Sequence, residues 1–530
     1  MPTKSRSLCR RVPQIAALAV LALALFAPQA LARYVYTGNY DSESVSVIDT
    51  KTNQIVGSPI PVGGQAYTMA ISPDGRSLYV GTDTVEEMTV IDAQTNQVTG
   101  TIPIGVSEAS TIAISPDGKR AYVASYSDEE VVAIDLQAKQ VVGSPIETDE
   151  RPWGIAYSPD GKIALLTNES KDTVSVIDTA TNQIVGDQIP VGDGPINVIF
   201  STDGGTAYTT DQNSDTVSVI DVGARQTIGS IEVGNNPWGL GLTPDGKKLY
   251  VANLHDDTVS VIDVATRQVV GDPIPTGEEP YELAATPDGT AVYVANYDGE
   301  NEDKGVTVIN TATNQTTSVD VEGGPWQLTI VPDQSPTPSF ATAASKKNSL
   351  SITFNSMTTD SDGTVAVLNW NFGDGTIALN GGPTPTHRYV NPGTYGVTLN
   401  AVDNEGCSGF LFTGRPAFCN GPGLLTQTIT VKAPNNFKFG KLIRNKKKGT
   451  AKLKVKVPYA GKLTLTGKKV KKVKRSAKKA GTVILNIRPK PKAKKALAAV
   501  GTAKVRIKVT FKPTGGTARS KGRSVKLIQQ

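Results

Sequence analysis

From residue 33 to residue 333 the apolar positions fall in short runs of about six, each bounded by Gly, Pro, Asn or Asp, and the pattern recurs every 42 to 45 residues. The clearest copy spans 237–275 and reads PWGLGLTPDGKKLYVANLHDDTVSVIDVATRQVVGDPIP. Its hydrophobic rhythm predicts four strands, A to D, at 238–243, 248–253, 258–263 and 268–274. In the third, VSVID, Val259 and Val261 face one side while Ser260 and Ile262 face the other, and neither side is charged. Such a sheet needs cover on both faces, so the repeats must stack on one another.

Two fixed points mark each copy. One is a turn aspartate, at Asp74, Asp117, Asp160, Asp203, Asp245, Asp288 and Asp333; the other ends strand C, at Asp49, Asp92, Asp135, Asp178, Asp221, Asp263 and Asn310. Pro-Asp-Gly suits a tight A–B hairpin, and the strand-end carboxylate suits a cap on the C–D turn, so both series are structural. Seven units of this period predict a seven-bladed β-propeller over 33–333. The first unit begins in strand B at Tyr34, and the last supplies only strand A, near Trp326. The ring is therefore expected to close by joining three strands from one end to one from the other, which leaves no open edge.

The repeats resemble the YVTN family of β-propellers, through YVAN at 250–253 and 293–296, the variants YVYTGN, YVGTD and YVASY, and the VSVID-like strand after each. Members of that family are mostly exported or surface-layer binding proteins, and related propellers include lactonases and quinoprotein dehydrogenases. The resemblance implies the fold firmly and the function only loosely.

Beyond a linker at 334–339, residues 340–432 resemble a PKD domain, an Ig-like β-sandwich of surface proteins. The resemblance rests on DSDG at 360–363, WNFGDG at 370–375 with Asn371 where Asp is usual, HRY at 387–389 and PGTYGVTL at 392–399. His387 belongs to that fold motif and does not signal a metal. From 433 to 530 the strict alternation of KLKVKV and KVRIKV predicts a small basic β-sandwich-like domain, with 468–479 as a loop. The fold class is thus all-β, in three domains.

Charge divides the same way. Residues 33–333 carry 44 acidic and 14 basic side chains, 334–432 carry five of each, and 433–530 carry 31 basic and no acidic ones. Residues 1–32 show a basic start, a short apolar run and Ala30-Leu31-Ala32, the pattern of a signal peptide cleaved after Ala32, which implies a secreted or cell-surface protein. Cys407 and Cys419 then remain, and an oxidising compartment favours a disulfide between them, with two free, partly buried thiols as the alternative.

Seven residues before each turn aspartate stand Tyr67, Ser110, Trp153, Ile196, Trp238, Tyr281 and Trp326, five of them aromatic. They mark the mouth of strand A, where they either pack between blades or ring the channel. The B–C loops of the same rim are acidic, as at Asp128, Glu129, Asp256, Asp257 and 300–303. Aromatic faces among carboxylates suit a cationic or carbohydrate ligand and repel phosphates.

Enzyme motifs are sparse. His255 is the only propeller histidine, and no GxSxG, HExxH or phosphate loop appears, so no metal or cofactor is expected. The leading expectation is an exported, non-enzymatic binding and adhesion scaffold whose domain 433–530 holds it to an anionic envelope polymer or lipid surface. That domain could instead dock on the acidic propeller or bind nucleic acid, though scarce aromatics argue against the latter. The alternative is a lactonase-like enzyme using rim carboxylates.

Overall fold

The computed structural model describes residues 34–148, 151–297, 305–321, 323–345, 349–409, 411–412 and 417–530. The expected signal peptide at 1–32 and the acidic stretch 300–303 lie outside them. Among the described residues, no helix is long and apolar enough to cross a membrane.

Seven antiparallel sheets form the propeller, each built of strands A to D from the axis outward. In the copy quoted above these are Pro237–Leu242, Lys248–Asn253, Thr258–Asp263 and a split D strand, Gln268–Val269 with Ile274–Pro275. The split sits at VGDP, where Gly271 takes a φ of 78°, a left-handed conformation that interrupts the ladder. The ring closes as the repeat count predicts: Tyr34–Asn39 pairs with Pro325–Ile330, with Val35 opposite Ile330.

Each B and C strand is buried along almost its whole length, because both sheet faces meet a neighbouring blade. Tyrosines of strand B also bond across that seam. Tyr36 donates to Asn96 Oδ1 at 2.6 Å and Tyr122 to Asn182 Oδ1 at 2.7 Å, each reaching the C–D turn of the next blade.

Both aspartate series serve their own turns. Asp178 Oδ1 accepts the N–H groups of Ala180 and Thr181 at 3.1 and 2.9 Å, and Asp160 Oδ1 accepts Ser158 Oγ–H and Lys162 N–H. The seventh turn aspartate departs from the series. Asp333 has Gln334 in place of the turn glycine, lies buried, and pairs in parallel with Cys419.

One further position is patterned. Strand B ends in a buried Asn in four blades, and Asn253 Nδ2 donates to Thr258 Oγ1 and Ser260 Oγ at 3.0 and 2.9 Å. In the fifth repeat Asp211 takes this place and accepts Thr216 and Ser218 hydroxyls at 3.0 and 2.7 Å. Burial pushes its carboxyl up to about 6.

The propeller belongs to a compact unit that also holds 360–364 and 403–421, where Cys407 and Cys419 are joined by a disulfide with a Cα–Cα distance of 5.7 Å. The second unit comprises 336–359, 365–402 and 422–530. Its Ig-like half packs Phe354, Trp370, Tyr389, Val397 and Leu399 into one core. His387 stacks on Phe372 and lies 2.8 Å from Asp374 Oδ2, so it is held within the fold.

The basic half is a sandwich of two sheets around Leu453, Val455, Leu463, Leu485, Ile507 and Phe511. Two features there depart from the sequence reading. The expected loop 468–479 contains a strand, Val473–Ala477, paired with Gly461–Thr466. A helix, Pro491–Val500, also interrupts the strands; proline at its first turn and Gly501 at its left-handed C-cap define its ends.

Candidate active site

The seven strand-A mouths share one irregularity. In every blade the A–B register slips there, as between Pro237 and Leu240 around Trp238 and between Pro280 and Glu282 around Tyr281. A bulge takes its residue out of the ladder and re-aims the side chain. Proline immediately before the aromatic in four blades removes one ladder donor at that point. Gly239 follows Trp238 because a Cβ there would stand 2.6 Å from Tyr281 O of the next blade.

These bulges bring all five predicted aromatics together. Tyr67, Trp153, Trp238, Tyr281 and Trp326 form a closed circuit, with ring centroids 6.4, 5.4, 5.2, 3.8 and 5.6 Å apart in that order, returning to Tyr67. The rings therefore neither wedge separately between blades nor stand around an open hole. They form a half-buried aromatic floor across the channel mouth. Below it Glu282 lies buried in the channel, with Asn197 Nδ2 3.3 Å from its Oε2.

A second ring surrounds this floor, made by the residue just after strand B: Tyr40, Asp83, Tyr126, Glu169, Gln212, Leu254 and Tyr297. Tyr40 and Tyr297 pack on Trp326 at 5.4 and 5.3 Å, and Tyr126 meets Trp153 at 5.0 Å. Arg151 lies over the Tyr126 ring at 5.1 Å and 3.7 Å from Glu169 Oε2. Burial is the main force raising the Asp83 carboxyl above its ordinary range. Backbone N–H groups of Asp83 and Gln65 oppose that rise, and the charges of Glu108 and Glu43 add to it. Among the described residues its Oδ1 is buried without a hydrogen-bond partner. Burial also raises the phenols of Tyr40, Tyr126 and Tyr297, helped by carboxylates including Asp41, Glu108, Glu169 and Glu279.

The four rim acids singled out from the sequence are placed differently. Asp128 Oδ2 accepts Ser107 N–H at 2.7 Å, Asp256 Oδ2 accepts Asn235 N–H at 2.8 Å, and Asp257 Oδ1 accepts Glu279 N–H at 2.9 Å. These carboxylates latch the loops of the rim. Burial raises the Asp128 carboxyl, but the bonds from Ser107 and Ser125 outweigh it, and the carboxyl sits below its ordinary range. Glu129 is exposed, in a left-handed backbone conformation. Sequence reasoning missed Asp83, Glu108 and Arg151. The signal was available for Asp83, since the post-B position recurs at the blade period and points to the same mouth.

Comparison with known proteins assigns the two recognisable domains. The family model "Lactonase, 7-bladed beta-propeller" matches residues 35–320, and a PKD domain model matches 333–411. A microbial collagenase of Vibrio alginolyticus is 37% identical over 82 residues, a stretch that spans 15% of this chain and 10% of the collagenase. Among solved structures, a functionally unknown protein of Desulfotomaculum acetoxidans is 18% identical over 56% of this chain and 99% of its own, with a TM-score of 0.50. A periplasmic gluconolactonase of Pseudomonas aeruginosa is 20% identical over 56% of this chain and 99% of its own, with a TM-score of 0.48.

The match over 35–320 corrects the functional expectation. A non-enzymatic binding and adhesion scaffold is the wrong reading of this propeller, and so is the expectation that the chain is not an enzyme. The error came from counting histidines and motifs. Ester hydrolysis needs neither, because a carboxylate poised by burial can serve as its base.

Proposed function

Given that the chain belongs to the lactonase family of seven-bladed β-propellers, we propose that its propeller hydrolyses a sugar-type lactone on the aromatic floor. The observation that carries this reading is Asp83: half-buried at the edge of the floor, with one carboxylate oxygen lacking a hydrogen-bond partner among the described residues and its pKa raised by burial. A base poised nearer neutrality is more effective in proton transfer than an ordinary exposed aspartate.

In the reaction, Asp83 takes a proton from a water whose oxygen bonds to the lactone carbonyl carbon. The Arg151 guanidinium, fixed between Tyr126 and Glu169, stabilises the oxyanion that forms. The acyl C–O bond then breaks, the proton passes from Asp83 to the departing ring oxygen, and an open-chain hydroxy acid leaves. The aromatic floor holds the apolar face of the sugar ring, which sets affinity more than rate.

Export belongs to the same proposal. A PKD domain and a disulfide are typical of extracellular proteins, and the leader pattern at 1–32 and the YVTN-like repeats support secretion. The test is turnover of a panel of five- and six-membered aldonolactones by the purified full chain, followed by pH-stat. Hydrolysis above the buffer rate is expected, with KM raised ~10-fold or more in Trp326→Ala and kcat little changed. No hydrolysis of any lactone in the panel would refute the proposal.

A further inference from the structure

The strand Thr502–Pro513 turns Val505, Ile507, Val509 and Phe511 into the core and Lys504, Arg506, Lys508 and Lys512 outward, all four exposed. Its neighbours extend the cationic face. Lys504 stands directly opposite Lys526, and Lys512 opposite Lys462. Like charges placed opposite one another across a sheet destabilise it, and nothing nearby in sequence offsets them. Residues 433–530 contain no acidic side chain, and within this compact unit the one acidic residue, Asp374, is engaged by His387.

The face is also shaped. A cavity of ≈ 800 Å³ opens between Lys468 and Lys469 on one side and Lys504, Arg506, Lys508 and Ser524 on the other. Gly467 allows this, since a Cβ there would stand 2.5 Å from Arg506 O, so the loop is seated directly against the strand. Successive outward charges along the strand are about 6.7 Å apart, twice the strand rise. The domain's phenylalanines offer no stacking surface to a base: Phe437 and Phe511 are fully buried, and Phe439 packs against the core under Arg523.

The geometry points to a binding groove for a linear, base-free phosphodiester polymer, laid along Lys504, Arg506 and Lys508 with its phosphates between strand and loop. Charge complementarity supplies the affinity, and the mixture of guanidinium, ammonium and hydroxyl donors suits phosphate oxygens. This inference stands apart from the lactonase reading and does not depend on it.

The test uses the full chain and poly(glycerol phosphate) as probe, by titration at several salt concentrations. With about four phosphates engaged, affinity should fall ~10²-fold between 50 and 200 mM salt. The triple variant Lys504→Glu, Arg506→Glu, Lys508→Glu should lose at least ~10-fold more affinity than the charge-matched control Lys492→Glu, Lys494→Glu, Lys495→Glu on the helix. If the strand variant fails to fold, Lys468→Glu with Lys469→Glu replaces it under the same criterion. Equal loss in groove and helix variants would overturn the groove. So would single-stranded DNA of the same charge binding as tightly as the probe, or binding confined to phosphatidylglycerol vesicles.

Discussion

The propeller and the basic domain both read as short alternating strands, yet they use charge in opposite ways. In the propeller, where acidic residues outnumber basic ones by 44 to 14, a large share of the carboxylates are spent inside the fold. They cap C–D turns, close A–B hairpins and latch rim loops to backbone N–H groups. In the basic domain 31 cations have no acidic side chain among them, and some face one another across strands. Charge that satisfies backbone groups stabilises the fold while the carboxylates stay ionised; charge that repels its neighbours leaves a surface that gains from a partner. Two carboxylates show the opposite effect: burial raises the pKa of half-buried Asp83 and of buried Asp211, and of these two only Asp83 stands at the channel mouth.

That contrast can be broken at graded cost. Gly239→Ala drives a methyl into the backbone of the adjoining blade and should lower stability by ~3 kcal/mol, read by denaturant unfolding. Asp211→Asn should act in the other direction. The native carboxyl titrates near 6 against ~3.9 when unfolded, so the native state holds the extra proton between those values and wild-type stability falls as pH rises through that window. Above pH 6 the variant should therefore be more stable by up to ~3 kcal/mol, with the gain vanishing below pH 4. If the gain persisted unchanged at pH 4, burial would not be its cause.

Asp178→Ala removes a turn cap and should cost ~1 kcal/mol. The smallest effect belongs to the basic domain: Lys526→Glu turns the repulsion with Lys504 into attraction and should stabilise by ~0.5 kcal/mol, an effect that shrinks with added salt. A loss of stability there would mean that the facing lysines are not a source of repulsion.

The fold was legible because repetition averages out local ambiguity. Seven copies made the PDG turn, the VSVID strand and the ring closure visible, and the aromatic position emerged from the same alignment. The helix at Pro491–Val500 and the strand at Val473–Ala477 lie in unrepeated sequence rich in lysine, where charge hides the hydrophobic period. Asp333 shows the limit of the repeat itself, since losing the turn glycine sent it to a different pairing.

At the site, residue type misled where position did not. The conspicuous acid clusters at Asp128, Asp256 and Asp257 proved to be loop latches, whereas Asp83 is a single carboxylate after YVGT. Its significance lies in burial, and burial is set by neighbours from other blades that no local pattern displays.

The pH dependence of aldonolactone hydrolysis by the full chain and by Asp83→Asn decides whether Asp83 is the base. If Asp83 is the base, wild-type kcat/KM rises with pH through a midpoint above the ordinary aspartate range, and the variant is at least ~10²-fold slower with that step missing. Equal rates and identical profiles for the two proteins would contradict it.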